Sequence, residues 1–330
     1  MKKSISILFI LFFSMVNHSF AQVPLADPFA HTFSIVAHDP VTGDVGVAVQ
    51  SHWFSVGTVV AWAEAGVGAV ATQSFVNVSF GRKGLDLLKE GYSPQEALDT
   101  LLAGDEGRDF RQVAIVDVKG RVANYTGAKC VAEAGHIKGE GYSVQANMML
   151  KNTVWSAMDK AFTENKGTLA ERMIMALKAA QVEGGDIRGQ QAASLIVVKG
   201  KKSDKTWEDK IVDIRVDDHP DAVNEIARLL NVHQAYEHMN AGDLAVERND
   251  IEGALKEYGS AMAMFPENIE MKYWTAVSMA NAGKVKESLK LFKEVFKADG
   301  NWVELTRRII PNGLLVVDDS ALARILEQAK

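Results

Sequence analysis

The chain lacks most of the features that announce a function outright. It has one cysteine, Cys130, among 330 residues. A single thiol excludes an internal disulfide, so the fold must rest on its core. Cys130 itself reads as a small buried residue, because no histidine arrangement supports it as a nucleophile. The net charge is −6 and no basic cluster occurs, so nucleic acid would find no positive patch to neutralise its phosphates. Beyond the first 21 residues no apolar run is long enough to cross a bilayer, so no spanning segment is expected. His38, His52, His136 and Glu140 miss the spacings of metal ligands, and no metal is expected. Gly66-x-Gly68 lacks the third glycine and following helix of a dinucleotide loop. Gly81-Arg82-Lys83-Gly84 misses the phosphate-loop spacing, so no cofactor is expected either.

What is present begins with a leader. Lys2 and Lys3 precede a short apolar stretch, Ile7 to Phe13, and Ser19-Phe20-Ala21 forms a small-x-small site before Gln22. This reads as a secretory signal peptide over residues 1–21, so the protein is expected to be exported, periplasmic or secreted. No cysteine follows the cleavage point, so no lipid anchor is expected. Residues 22–31 hold Pro24 and Pro28 without periodicity and read as an extended arm or propeptide.

The stretch from Thr32 to Ser51 organises the rest. Thr32 to His38 and Val45 to Ser51 flank a Pro40–Gly43 turn, a hairpin signal. Val45, Val47 and Val49 face one way, and Gly46, Ala48 and Gln50 the other. Thr32 opens the first strand. Its hydroxyl is a weak nucleophile unless a base stands beside it. Were Thr32 the first residue, its own α-amine, with a pKa of about 7.7–8.0, would be that base. An internal Thr32 has only an amide nitrogen. The functional reading therefore turns on the His31–Thr32 bond.

Further along, Val67 to Gln73 alternates as a strand. Ser93-Pro94-Gln95-Glu96 and Thr168 with Glu171 are capping boxes that open helices. Gln112 to Asp117 and Arg121 to Thr126 read as a second hairpin. Gly127 to Gly141 reads as irregular, Tyr142 to Asn147 alternates again, and Ala192 to Val198 and Ile211 to Val216 are further strands. Hairpin strands interleaved with two helix pairs point to a layered α+β body. From about Tyr236 the pattern repeats with a period of 34, as in Leu255 and Leu289 or Tyr258 and Phe292, which is the tetratricopeptide period.

Five segments together carry a family resemblance: Thr32 to Ala37, Gly46 to Ser51, Gly66 to Gln73, Gly139 to Asn147, and Gly184 to Ala193. Over Thr32 to about Val216 the chain resembles domain-of-unknown-function family 1028, which is grouped with the N-terminal-nucleophile (Ntn) hydrolases. The resemblance implies a four-layer αββα sandwich, here followed by a small all-α helical-repeat domain. The domains expected are residues 32–218 and 219–330. Family members without a leader begin Met-Thr-Phe-Ser, so loss of the methionine frees the threonine. This chain departs from that pattern, because ten residues stand between Ala21 and Thr32, and a second cut is required.

On this reading Thr32 is the catalytic nucleophile of an exported amidohydrolase, acting on a small or peptide-like amide. Ser51, Gln73, Asn77 and Asn147 lie at or near strand ends and are candidate oxyanion or substrate donors. Each alone also reads as a structural strand-end residue. Asp186 and Arg188 would clamp a substrate carboxylate or, more plainly, pair with each other. The alternative function is a non-catalytic binding module on the same fold, with the helical repeats gripping a protein or peptide partner.

Overall fold

In the computed structural model, which describes residues 29–330, the alternating stretches become strands of two antiparallel sheets. The leader, 1–21, and arm residues 22–28 lie outside the described residues.

The first sheet contains β1 (Phe29–Ala30), β4 (Ala61–Glu64), β5 (Gly68–Phe75), β6 (Arg111–Asp117) and β7 (Val122–Thr126). Its strand order is β1-β5-β6-β7, with β4 on the same β5. The second sheet contains β2 (Thr32–His38), β3 (Val45–Ser51), β8 (Gly135–Gly139), β9 (Tyr142–Ala146), β10 (Ala192–Val198) and β11 (Lys210–Val216), in the order β11-β10-β3-β2-β9-β8. The region expected to be irregular thus contains β8. It is an edge strand whose residues all stay partly exposed, so no buried face imposed an alternation on its sequence.

Period-two patterning assigns each face. Val36, Val45, Val47 and Val49 of the second sheet meet Ala69, Ala71, Ala114 and Val116 of the first in a shared core. Phe33, Ile35, Ala48 and Leu195 face the other way, onto α3 (Val154–Glu164) and α4 (Leu169–Val182). The outer face of the first sheet, with Val70, Val113 and Ile115, is covered by α1 (Ser79–Lys89) and α2 (Pro94–Ala103). Both expected capping boxes form, at Ser93 with Glu96 and at Thr168 with Glu171. Small residues on the Gly46 face let α4 approach: a Cβ on Gly46 would stand 3.1 Å from Met173 Sδ and 2.8 Å from the Ile196 carbonyl oxygen.

The helical region begins with α5 (Ala222–Glu247), one 26-residue helix. Its first turns bury Ala222, Val223, Ile226 and Leu230 in the core beneath the second sheet. Its later part packs Ala235, Met239 and Ala245 against α6 (Ile251–Met264). Helices α7 (Ile269–Asn281), α8 (Val285–Ala298), α9 (Asn301–Ile309) and α10 (Asp319–Glu327) follow and close a separate core around Tyr273 and Phe292. No helix among the described residues is long and apolar enough to cross a membrane.

The arm does not stop short of the fold. β1 pairs antiparallel with β5, Phe29 opposite Phe75 and Ala30 opposite Ser74. The next strand, β2, belongs to the other sheet. His31 is therefore the single residue on which the chain crosses from one sheet to the other.

Because α5 is divided between two cores, a chain ending at Ala235 is expected to keep the sandwich intact. It should unfold in one cooperative transition in denaturant. Loss of that transition would show that the helical region completes the packing of the sheets.

Candidate active site at the His31–Thr32 peptide

Strand pairing fixes Thr32 opposite Ser51, and Phe33 opposite both Gln50 and Ala146. The same alternation that sends Val36 into the space between the sheets also sends Thr32 and Ser34 there. On the first sheet, Gln73 and Gln112 are cross-strand partners in phase with Ala71 and Ala114. The inter-sheet space is consequently apolar along most of its length and polar at one end. That end is where the chain crosses at His31.

Five hydrogen-bond donors from four residues are spent on two backbone carbonyls. The His31 carbonyl accepts from Ser51 Oγ at 2.5 Å and from Arg188 Nη2 at 3.0 Å. The Thr32 carbonyl accepts from Gln73 Nε2 at 3.2 Å and from the Asn147 backbone N–H at 3.1 Å, with Asn147 Nδ2 at 3.4 Å as well. Gln112 joins the second group. Its Oε1 accepts from Gln73 Nε2 at 2.7 Å and Asn147 Nδ2 at 2.9 Å. Its own Nε2 donates to Thr126 Oγ1 and the Ala146 carbonyl, both at 2.9 Å. Ser34 Oγ donates to Gln73 Oε1 and accepts from Gln145 Nε2. Thr32, Ser34, Gln73, Gln112, Gln145 and Asn147 are all fully buried, and in such surroundings a satisfied polar network is rigid.

Arg188 is aimed by Asp186. The carboxylate accepts from Arg188 Nη2 at 2.6 Å and Nε at 3.0 Å, and from the His52 backbone N–H at 3.2 Å. The Asp186 side chain is fully buried and that of Arg188 is 30% exposed. Of the two readings drawn for this pair, the plainer one is what forms: the residues bind each other, and the guanidinium also reaches the crossing peptide.

His31 is 2% exposed. Its Nδ1 lies 2.9 Å from Asn147 Oδ1, and its ring stands perpendicular to that of Phe75 with centroids 5.8 Å apart. Asn147 Nδ2 already faces two acceptors, so its Oδ1 accepts and the His31 proton sits on Nδ1. Burial lowers the His31 pKa below its ordinary value; the Asn147 bond opposes this, Arg188 reinforces it and Asp186 opposes it. The imidazole is therefore held neutral.

Strain accompanies the network. Ser74 has φ 73° and Met148 has φ 58°. They directly follow Gln73 and Asn147, and left-handed backbone at a residue other than glycine costs about 1–3 kcal/mol. Such strain concentrates at functional sites.

Of the candidate residues, Thr32, Ser51, Gln73, Asn147, Asp186 and Arg188 converge on this one peptide. Asn77 stands apart: its Oδ1 accepts from Ser79 Oγ at 2.8 Å, and it borders a separate cavity beside α1 and α2. No described hydrogen bond joins it to the cluster. Sequence reasoning missed Gln112, His31, Ser34 and Gln145. A usable signal existed for Gln112, a glutamine in phase with the buried Ala114 and Val116. Cys130 sits nearby, in a cavity of about 620 Å3 shared with Thr126 and His136, and burial pushes its thiol pKa up. A cavity of about 790 Å3 lies at the other end of β2 around Asp39, Ile211 and His233, and holds none of the candidates. Among the described residues no cluster suited to a metal occurs.

Comparison with known proteins agrees with the extent of the sheets. The family described as "Family of unknown function (DUF1028)" matches residues 32–226. A crystal structure of protein SPO2555 from Silicibacter pomeroyi, also assigned to DUF1028, is similar at 30% identity and a TM-score of 0.55. It covers 61% of this chain and 88% of its own. No curated protein matches the chain.

Two outcomes are expected. Gln112→Leu takes one partner from each of the buried Gln73 and Asn147 amide nitrogens, from Thr126 Oγ1 and from the Ala146 carbonyl, so at about 1–3 kcal/mol for a buried group left short of a bond the unfolding free energy should fall by about 3 kcal/mol or more. Urea titration would read this as a lower midpoint at unchanged slope, and a loss below about 1 kcal/mol would show that water replaces the amide. The second concerns pH. The unfolded His31 takes up a proton near its ordinary pKa of 6.5, whereas the folded one resists to lower pH. Its contribution to stability is complete above about pH 6.5 and declines as pH falls towards the folded value. His136 shifts in the same direction through burial and Lys138, so the test is a difference. In a Thr32→Ala background that keeps the arm attached, His31→Asn should flatten the fall in urea stability between pH 7.5 and 5.5. Identical pH dependence in both proteins would remove His31 from the account.

Proposed function

The chain belongs to the DUF1028 family, which carries no assigned activity, and we propose from its site that it is an exported amidohydrolase whose nucleophile is Thr32, exposed by loss of residues 22–31. The observation that carries this reading is the pair of donors on the His31 carbonyl. Ser51 Oγ and Arg188 Nη2 meet the oxygen of the very bond whose cleavage would free the Thr32 amine. Donors placed there stabilise the oxyanion that forms when a hydroxyl adds to that carbonyl.

The chemistry balances without a cofactor. Thr32 Oγ adds to the His31 carbonyl carbon, the C–N bond breaks, and the Thr32 nitrogen takes the proton, leaving an ester on Oγ. Water then adds to the ester carbon, returns a proton to Oγ and releases the arm as a carboxylic acid. On a substrate amide the freed α-amine takes the hydroxyl proton and passes it to the leaving amine. Ser51 and Arg188 then meet the substrate oxygen. Gln73 and Asn147 hold the Thr32 carbonyl throughout and so fix the nucleophile's backbone.

We read the two sheets and their flanking helix pairs as the αββα sandwich of the Ntn hydrolases. We read α6 and α8, whose starts lie 34 positions apart, as equivalent helices of tetratricopeptide-like repeats. The leader supports export.

A second reading has one observation in its favour. β1 pairs with β5 and His31 is 2% exposed, as expected for a binding module that keeps its arm while the helical region grips a protein or peptide.

Intact-mass analysis of the exported protein separates the two. A substantial fraction should begin at Thr32. Thr32→Ala should retain the arm and abolish amide hydrolysis, and Ser51→Ala should slow release of the arm by about 10²–10³. If every molecule begins at Gln22, and Thr32→Ala changes neither mass nor hydrolysis, the hydrolase reading fails.

A further inference from the structure

The arm shows how an acyl group lies in this site. Its last residues form a two-residue ladder on β5, Phe29 opposite Phe75 and Ala30 opposite Ser74. They occupy the β5 edge just beyond the part that β4 covers, since β4 pairs only with Gly68 to Ala71. His31 follows, its carbonyl on Ser51 and Arg188 and its ring between Asn147 Oδ1 and the Phe75 ring. If the arm leaves, this stretch of the β5 edge loses its pairing partner, and Asn147 Oδ1 and Phe75 lose the His31 ring. Buried polar groups left in that state favour whatever restores their bonds.

Resting on the hydrolase reading above, we propose that the substrate is an extended peptide or peptidyl amide. Its main chain on the acyl side adds as a strand to β5 at Ser74–Phe75, and the residue donating the scissile carbonyl is histidine or a similar planar ring bearing an N–H. Three features of the site require this class. An open strand edge pairs with main chain and is indifferent to its side chains, which selects a peptide over a compact amide. The Asn147 oxygen needs a donor, which excludes a purely aliphatic side chain as the preferred occupant. Phe75 makes a perpendicular ring contact that a planar ring fills. The leaving amine departs beside the Thr32 α-amine that protonates it, and neither the ladder nor the His31 slot touches it. Selectivity therefore lies on the acyl side. The detached arm is itself the first peptide of this class and should compete with substrate.

The test uses the chain from Thr32 to Lys330, obtained by self-cleavage or by a tag protease that leaves Thr32 first. The probes are acetyl-Pro-Phe-Ala-His coumarin amide, its counterpart with leucine in place of histidine, versions N-methylated at the phenylalanine or the alanine, and the fluorescent free acid. Amides in an antiparallel ladder alternate between facing the partner strand and facing away, so one N-methyl should weaken kcat/KM by about tenfold or more and the other should do less. The histidine probe should exceed the leucine probe by about tenfold or more, and Asn147→Leu should bring the ratio close to one. Phe75→Leu gives a second variant, outside the amide network, that should narrow the same ratio. Hydrolysis of all probes alike, indifferent to N-methylation, would overturn the peptide track and leave the hydrolase standing. If no amide is cleaved but the free acid binds, and one N-methyl weakens binding by about tenfold, the track stands and the hydrolase reading falls. Neither cleavage nor binding overturns both.

Discussion

The grip on one peptide unit, the crossing at His31, orders the rest of this structure. A chain that passes between two stacked sheets must bring two backbone carbonyls into a space with little water, and each needs donors. The second sheet supplies Ser51 directly and Arg188 through the loop that precedes β10. The first sheet and the end of β9 supply Gln73 and Asn147. Gln112 then serves the two amides that serve Thr32. The polar end of the inter-sheet space is thus the requirement of an ordinary crossover, met with far more buried amide than a crossover needs. That excess is the ground for proposing a site there.

The costs point the same way. Ser74 and Met148 hold left-handed backbone directly after two of the gripping residues, and a buried amide network yields less stability than an apolar core of equal volume. A scaffold under selection for stability alone would place glycine at both positions and hydrocarbon at Gln73 and Gln112. The sheets instead carry strain and buried polarity at one end, offset by the tightly packed valine and alanine core along the remainder.

Much of the fold was legible because its signals are local. Capping boxes at Ser93 and Thr168, the valine alternation of β3 and the Pro40–Gly43 turn each follow from neighbours in sequence. Four strand-end candidates, Thr32, Ser51, Gln73 and Asn147, also met at one peptide, since such residues in hairpins converge when the hairpins stack; Asp186 and Arg188 reach it from the loop before β10. What escaped was non-local. The β1 ladder depends on β5, more than forty positions away, and two residues carry no periodicity. β8 is an edge strand without a buried face. Gln112 and Ser34 looked like ordinary strand residues until the opposite sheet was in place. Asn77 follows Gln73 closely, but the left-handed turn at Ser74 intervenes, and its side chain turns to Ser79.

The two sets of donors differ in what they keep if the bond between His31 and Thr32 is broken. Gln73 and Asn147, with Gln112 behind them, hold the Thr32 carbonyl, which stays with the protein, so on the proposed reading the backbone of the nucleophile keeps its place. Ser51 and Arg188 hold the His31 carbonyl, which leaves with the arm, so their donors are released towards whatever carbonyl arrives next. Asp186 keeps Arg188 in place meanwhile through two side-chain bonds that involve neither His31 nor Thr32. One half of the machinery is therefore permanent and the other is vacated already oriented. A crossover built only to join two sheets has no reason to separate its donors in this way, whereas the proposed site, acting first on its own chain and then on another, would require it.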